Sequence, residues 1–314
     1  MVVRTRRRNS VMSSLMRILS LSTTILNLLK MLGIVSVPSW AIAVAVIAFC
    51  LFVLPELHLW IEQRQTARNP YRAAQAKLSV SALYVYPVKS LAGVAVSAHK
   101  VGARGFEFDR LWRVVDGEGH SITQRKVPKM ALIQPGLPAS ADAPLVLDAP
   151  GLPTLSVPVR RAADAGAKPV GVTIWDDRCE AIDQGDEAAD WLARATGEAG
   201  ARLVRMDEGY RRGLDPNFDR SEQGQTGFAD GFPFLVVTEA SLAELNARIA
   251  ARAPGAVEPL PMDRFRPNVV VSGAAPFAED AWAHVSIGRE GASGGGLVMA
   301  LVKPCSVRFG TRGA

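Results

Sequence analysis

The chain has 314 residues, 48% of them hydrophobic, with 27 glycines and 20 prolines, which suits a loop-rich, mainly β body better than a helical bundle. Its net charge of +6 is unevenly placed: residues 1–77 hold ten Lys/Arg against two Asp/Glu, and residues 78–314 hold twenty-six against twenty-eight. A body so close to neutral argues against nucleic acid as a partner, and three cysteines with four scattered histidines argue against a disulfide framework or a protein-built zinc site.

Residues 1–77 read as a basic arm. The run 31–55 carries no charge, and Trp40 and Trp60 flank it like interfacial anchors. A span of that length crosses a hydrocarbon layer of about 30 Å, so a transmembrane helix over about 36–58 and a single-pass membrane localisation are expected. Residues 12–29 read as a helix lying at the interface. Six Lys/Arg before the span and four after it lean towards an N-terminus-in orientation, with the side facing the body left open. Arg6-Arg7-Arg8 also permits a twin-arginine signal, and a later translation start is a further alternative. Residues 62–77 are a polar linker.

The body opens with a β-type run, 80–88, that stops at Lys89-Ser90 before a bend at Gly93. Strands are expected over 94–101 and 111–115, then a hairpin turn at Asp116-Gly117-Glu118-Gly119 and a return strand over 120–124. Further strands over 131–134, 145–147, 154–160 and 170–175 suggest a small barrel or sandwich. Asp186 is expected to cap a helix carrying Ala188, Trp191, Leu192 and Ala195 on one face, with Gly197 ending it. The first module therefore covers 78–200 and the second 201–314. The second begins with a strand over 202–206 and a long polar loop, 207–231, of the kind that is functional or mobile. A buried strand, 234–238, leads into a helix started by Thr238 or Ser241, with Leu242, Leu245 and Ile249 towards the core and capping-box spacing between Ser241 and Glu244. Strands over 268–272, 282–287 and 297–302 complete the reading, giving an α+β, mainly β fold.

An ammonium and a hydroxyl at a strand end can converge on one oxyanion, which makes Lys89 and Ser90 candidates. Lys89-Ser90 ends the run Tyr84-Val85-Tyr86-Pro87-Val88; in order after it come Phe108-Asp109-Arg110-Leu111-Trp112, Phe265-Arg266-Pro267-Asn268 and Lys303-Pro304-Cys305-Ser306. This ordered set resembles the MOSC family of molybdenum-cofactor proteins, most closely the two-part subfamily that includes the mitochondrial amidoxime-reducing component and its bacterial relatives. The resemblance implies an N-terminal β-barrel-like domain followed by a MOSC β-barrel. It also implies a molybdenum cofactor (Mo-molybdopterin), with pyridoxal phosphate binding as a further family-level association.

Carried over by motif, Lys89 and Ser90 match the phosphate side of the cofactor site, with Ser306 also at the cofactor. Arg110 would fork onto the cofactor's polar edge, the alternative being a salt bridge to Asp109. Arg266 and Asn268 match the family's R-P-N piece. Pro267 disfavours a helical Arg266, and on an extended strand the two side chains would point the same way. Phe232 and Pro233 match the wall of the site. The family's metal-binding cysteine falls here at Arg308, so Cys305 is the remaining candidate for the metal and catalytic position. Divergence after Ser306 suggests an incomplete MOSC barrel, such as a frameshift produces. The implied function is a membrane-anchored oxidoreductase reducing N-hydroxylated substrates, with a redox protein donating electrons. The alternatives are a catalytically impaired protein that binds the cofactor or a phosphate ligand, and a sulfur carrier using Cys305.

Overall fold

A computed structural model describes residues 2–7 as backbone, and residues 78–175, 177–219, 221, 223–255, 257–288 and 296–305. The transmembrane helix expected over about 36–58 lies outside them, as do the interfacial helix and the linker. Among the described residues no helix is long and apolar enough to cross a membrane. The membrane helix and the single-pass localisation are therefore withdrawn from the fold assignment, which rests on the β body alone.

In chain order the strands are β1 (Val2–Arg7), β2 (Ser79–Val85), β3 (Val94–Val96), β4 (Val101–Gly102), β5 (Gly105–Phe106), β6 (Trp112–Val115), β7 (Gln134–Pro135), β8 (Leu145–Asp148), β9 (Leu155–Val157), β10 (Pro169–Ile174) and β11 (Asp177–Asp183). Helix α1 (Asp186–Thr196) and β12 (Arg202–Met206) follow, then β13 (Val236–Thr238), α2 (Glu239–Arg252), β14 (Val269–Ser272), β15 (Trp282–Gly288) and β16 (Leu297–Ala300). One seven-stranded sheet runs β13-β14-β2-β1-β15-β16 with β3 on β2, and a four-stranded sheet runs β10-β11-β12-β6. A three-stranded sheet, β7-β8-β9, and the β4-β5 pair complete the set.

Strands from either side of residue 200 share sheets. β2 pairs antiparallel with β14, Leu83 opposite Val269, while β12 pairs with β6, Val204 opposite Arg113. In the four-stranded sheet β6 and β12 are buried on both faces, and strand alternation divides their residues between two cores. Trp112, Val114 and Leu203 join Trp191 and Leu192 of α1 in one core; Val115, Val204 and Met206 join Val172, Cys179 and Phe228 in the other. The larger sheet closes over Val85, Val269, Val271 and Val285.

Local signals account for most element ends. Asp116 Oδ1 accepts from the N–H groups of Glu118 and His120, and Gly119 takes φ 83°, so the hairpin turn forms as expected. The return strand shrinks to a bridge between Val115 and Ser121. Gly197 ends α1 at φ 83°, its N–H donating to Ala193 O. Asp186 is not the cap: Gly185 holds that position at φ 106°, and Asp186 lies in the first turn, paired with Arg202 at 2.8 Å. Thr238 caps α2 by accepting from Ser241 N–H at 3.2 Å. Leu242, Leu245 and Ile249 are only half-buried, so that helix face does not enter a packed core.

Trp191 is 2% exposed and its indole donates to Pro153 O at 2.7 Å, joining α1 to the loop before β9. Trp191→Ala is expected to cost about 3–5 kcal/mol, measured as a lowered urea midpoint with an unchanged slope.

Candidate functional site

The site grows from the end of β2. Val88 bridges Trp112 of β6 in parallel, and Lys89 N–H donates to Trp112 O at 2.9 Å. Ser90 then turns the chain at φ 71° and is buried. Tyr86 lies against Gly93, where an added Cβ would sit 2.4 Å from the ring, so close approach rather than a turn demands glycine there. Across the site, Phe108, Arg110 and Arg266 also adopt left-handed backbone, with φ 67°, 47° and 55°. Such residues cost of order 1–3 kcal/mol each and persist only where their surroundings hold them.

What holds them is a buried hydrogen-bonded knot. Asp109 Oδ1 accepts from Tyr86 N–H at 2.8 Å and Asn268 Nδ2 at 3.1 Å, and Asp109 Oδ2 accepts from Arg110 Nη1 at 2.5 Å. Asn268 Oδ1 accepts from Arg110 Nη1 at 2.8 Å and Leu235 N–H at 3.2 Å, and its Nδ2 also reaches Tyr84 O at 3.2 Å. Arg110 Nη2 donates to Arg266 O at 3.0 Å. The Arg110 and Arg266 guanidiniums each lie 4.4 Å from the centroid of the Tyr86 ring. The expected extended Arg266 is therefore corrected: it ends a short 3-10 turn in the left-handed region, and Asn268 precedes β14. The Asp109–Arg110–Asn268 network overrides the local bias from Pro267. Both residues still reach one cluster, through Arg110 rather than through strand alternation.

Lys89 and its neighbours form the second part. Its Nζ donates to Asp230 Oδ1 at 2.7 Å, with the lysine side chain 15% exposed and the aspartate 61%. Arg212, itself buried, holds the segment before Asp230 by donating to Gly227 O, Ala229 O and Asp230 O, while pairing with Asp177. Gly227 lets this segment meet Arg110: an added Cβ would lie 2.6 Å from Arg110 O, and Phe228 N–H donates there at 2.7 Å. Burial pushes the Lys89 ammonium down to about 8, against the opposing pull of Asp230. Burial likewise lowers Arg266 and Arg113 to about 10. Burial raises the Asp230 carboxyl, but Lys89, Arg125 and Arg113 outweigh it and hold the group below the usual carboxylate range.

Cys305 lies in a different neighbourhood. It lines a cavity of about 780 Å³ with Phe218, Phe232, Leu242 and Lys303, between β13, α2 and β16. Lys89, Arg110, Arg266 and Asn268 do not line that cavity. The two regions meet electrostatically: desolvation and Asp230 raise the Cys305 thiol, while Arg125 and Lys303 oppose the rise, and the residue as a whole remains exposed. Pro233 lines the cavity beside Phe232. Ser306 and Arg308 lie outside the described residues.

The donor set suits an anionic, hydrogen-bonding guest. Arg266 Nη2, Arg113 Nε and Nη1, and the Tyr86 hydroxyl are buried with no partner among the described residues. Burial holds the Tyr86 phenol well above its ordinary range, so it stays neutral. Those atoms, with the Lys89 ammonium, make a set of donors suited to an acceptor-rich guest. Arg110 and Asn268 have their polar atoms engaged within the protein and act as the wall behind that site. Tyr86, Asp109, Arg113, Arg212 and Asp230 were not singled out from the sequence as site residues; the Asp109 pairing of Arg110 was, as the alternative to a cofactor contact.

The MOSC N-terminal beta barrel domain matches residues 77–199, and the MOSC domain matches residues 223–307. The chain is 31% identical over 226 residues to mitochondrial amidoxime reducing component 2 of Bos taurus, covering 69% of this chain and 63% of that protein. It is 32% identical over 225 residues to the Homo sapiens counterpart, with the same coverage of 69% and 63%. A molybdenum cofactor sulfurase of Danio rerio is 32% identical over 216 residues, 66% of this chain and 26% of that protein. The chain thus spans a little under two thirds of the length of the amidoxime reducing components and about a quarter of the sulfurase.

Asn268→Ala removes four hydrogen-bonding roles from a residue 1% exposed, leaving Arg110 and Asp109 without a shared partner. A loss of about 3–5 kcal/mol is expected, read by urea unfolding.

Proposed function

The chain belongs to the MOSC family, and from that premise we propose that it is a molybdenum-cofactor-binding oxidoreductase acting on N-hydroxylated compounds, with electrons supplied by a partner redox protein. The observation that carries the reading is the cluster of buried, unpartnered donors on Arg266, Arg113 and Tyr86 beside the Lys89 ammonium. Donors in such excess are stable only opposite an anion or a dense acceptor set. The names of the relatives support the redox chemistry; the enclosed donors support the cofactor's anionic end.

Lys89, Ser90 and Arg266 would hold the phosphorylated pterin, and Cys305 is the described candidate for the metal. When bound, the cofactor supplies two-electron removal of an oxygen atom from the substrate. The protein's part is to bind and orient. Arg266 is anchored at Nη1 by Leu91 O at 2.5 Å, which leaves Nη2 to donate to a guest. Tyr86, neutral, packs its ring against both the Arg110 and Arg266 guanidiniums. Cys305 keeps its proton at neutral pH, so serving as a ligand requires that proton to leave Sγ, a step that Arg125 and Lys303 favour.

A second reading, cofactor binding without turnover, is favoured by Cys305 itself, which lines the apolar cavity that Lys89, Arg110 and Arg266 do not line. Metal analysis of the purified protein separates the two. Molybdenum at one per chain with amidoxime reduction, both lost in Cys305→Ala, supports the oxidoreductase; pterin without molybdenum supports the binder. Lys89→Ala is expected to lower pterin content at least tenfold in either case, and unchanged pterin there would remove the site.

The pH dependence follows from Lys89. Its folded value of about 8 lies below the unfolded one of about 10.4, so between the two the unfolded chain binds more protons and this residue's contribution to stability rises with pH. Anion binding runs the other way, since it needs the ammonium. Affinity for inorganic phosphate is expected to fall by up to about tenfold per unit above pH 8, measured by calorimetry from pH 6.5 to 9.5.

A further inference from the structure

Among the described residues the seven-stranded sheet ends on one side at β13 and on the other at β16, and the two ends are finished differently. At β13 the outward N–H of Thr238 donates to Glu279 Oε1 at 3.2 Å and its hydroxyl meets the same carboxylate, so the short turn at 278–281 plugs that edge. Nothing comparable guards β16 among the described residues. Leu301 N–H donates to Ala283 O at 2.8 Å, and Met299 and Leu297 lie opposite Val285 and Ile287 of β15. Alternation therefore turns the backbone N–H and C=O groups of Val298, Ala300 and Val302 away from β15. They meet no backbone partner among the described residues, and Val298 is 64% exposed.

The open edge has the composition of a template. Leu297-Val298-Met299-Ala300-Leu301-Val302 carries no charge and no proline before Lys303-Pro304, whereas solvent-facing edges are normally blunted by one or the other. Leu297, Met299 and Leu301 pack into the core of the larger sheet, which fixes the strand's face and register. Residues of both parities line the cavity of about 780 Å³, so it runs along the edge rather than over one face. Val236 and Val237 of β13 and Leu242 and Leu245 of α2 line it too. A space of that size holds one extended segment of a few residues. A second copy of this chain would bring its own β15 beside β16 and needs more room. Asp219, Glu279 and Asp280 also line the cavity, against the single cation Lys303, so its polar margin is net negative.

We propose that β16 is a strand-addition site, and that its ligand is a single extended peptide of a partner protein, apolar at alternate positions and basic at its ends. Main-chain hydrogen bonds to Val298, Ala300 and Val302 supply the affinity. Alternate side chains of the peptide enter the cavity, and its basic ends meet the acidic margin. The site uses neither Lys89 nor Arg266 and stands independently of the cofactor reading.

The test is a calorimetric titration of the full chain with a capped synthetic peptide that alternates valine and threonine between two terminal lysines. Saturable binding at one peptide per chain is expected. N-methylation of every residue between the lysines removes the ladder donors and is expected to weaken binding about tenfold; glutamate in place of the lysines is also expected to weaken it. Ala300→Pro deletes an outward N–H at an edge position where proline is tolerated. It is expected to keep the native near-ultraviolet circular dichroism and to bind the lysine-ended peptide about tenfold more weakly. Val298→Thr, which leaves the backbone intact, is expected to bind it like the native chain. No binding, or equal binding of the methylated peptide, overturns the proposal, the latter because the cavity then takes apolar matter without a ladder. Dimers seen by light scattering that Ala300→Pro dissolves would assign the edge to a second copy of this chain and overturn it as well. Should Ala300→Pro fail to fold, the methylated peptide decides the question on the native chain.

Discussion

Asp109 is a buried carboxylate whose two oxygens collect partners from two distant parts of the chain, Tyr86 N–H at the end of β2 and Asn268 before β14, and from its neighbour Arg110. An uncompensated charge so enclosed would be costly, and here Arg110 and two hydrogen bonds compensate it. Because β2 and β14 are neighbours in the large sheet, while Arg110 leads directly into β6 of the four-stranded sheet, the same group ties the two sheets together. The left-handed backbones of Arg110 and Arg266 are held by contacts of the same network, Arg110 Nη2 on Arg266 O and Phe228 N–H on Arg110 O.

Once Asp109 is committed to Arg110, the site has little negative charge left. Arg266, Arg113 and Lys89 are then enclosed beside Arg110, and all three are pushed towards lower pKa by burial. The Tyr86 ring covers Arg266 and Arg110, Phe228 faces Arg113, and Asp230 supplies a counter-charge to Lys89. The fold thereby sustains a surplus of donors facing inward. Such a surplus is a poor way to stabilise a protein and a good way to recognise an anion.

The sequence made part of this visible. Period-2 and period-3.6 patterns located β2, the turn at Asp116, α1 and α2, because those signals are local. The convergence of Arg110, Arg266 and Asn268 was legible through their ordered motifs, although the means was not. Pro267 argued for an extended Arg266, and a non-local ring of hydrogen bonds decided otherwise. Asn268 looked like a ligand contact because its amide is a good planar partner; that versatility is used inside the protein. Arg113 was hidden because a strand with both faces buried is recognisable only once its neighbours, β12 and the Phe228 segment, are known. The pairing of β2 with β14 spans almost the whole body and leaves no mark in either segment alone.

Asp230 also connects the two halves of the site through charge. It is the main favourable influence on Lys89 and, after desolvation, the main one raising the Cys305 thiol. Arg125 lowers both the Asp230 carboxyl and the Cys305 thiol, opposing Asp230 at the thiol. Cys305 sits on the edge of an apolar chamber, where a charge is weakly screened and its sign matters more than in water. The Asp230 carboxylate that pairs with Lys89 therefore acts on the thiol as well, and through it the cationic cluster and the edge of the cavity are coupled.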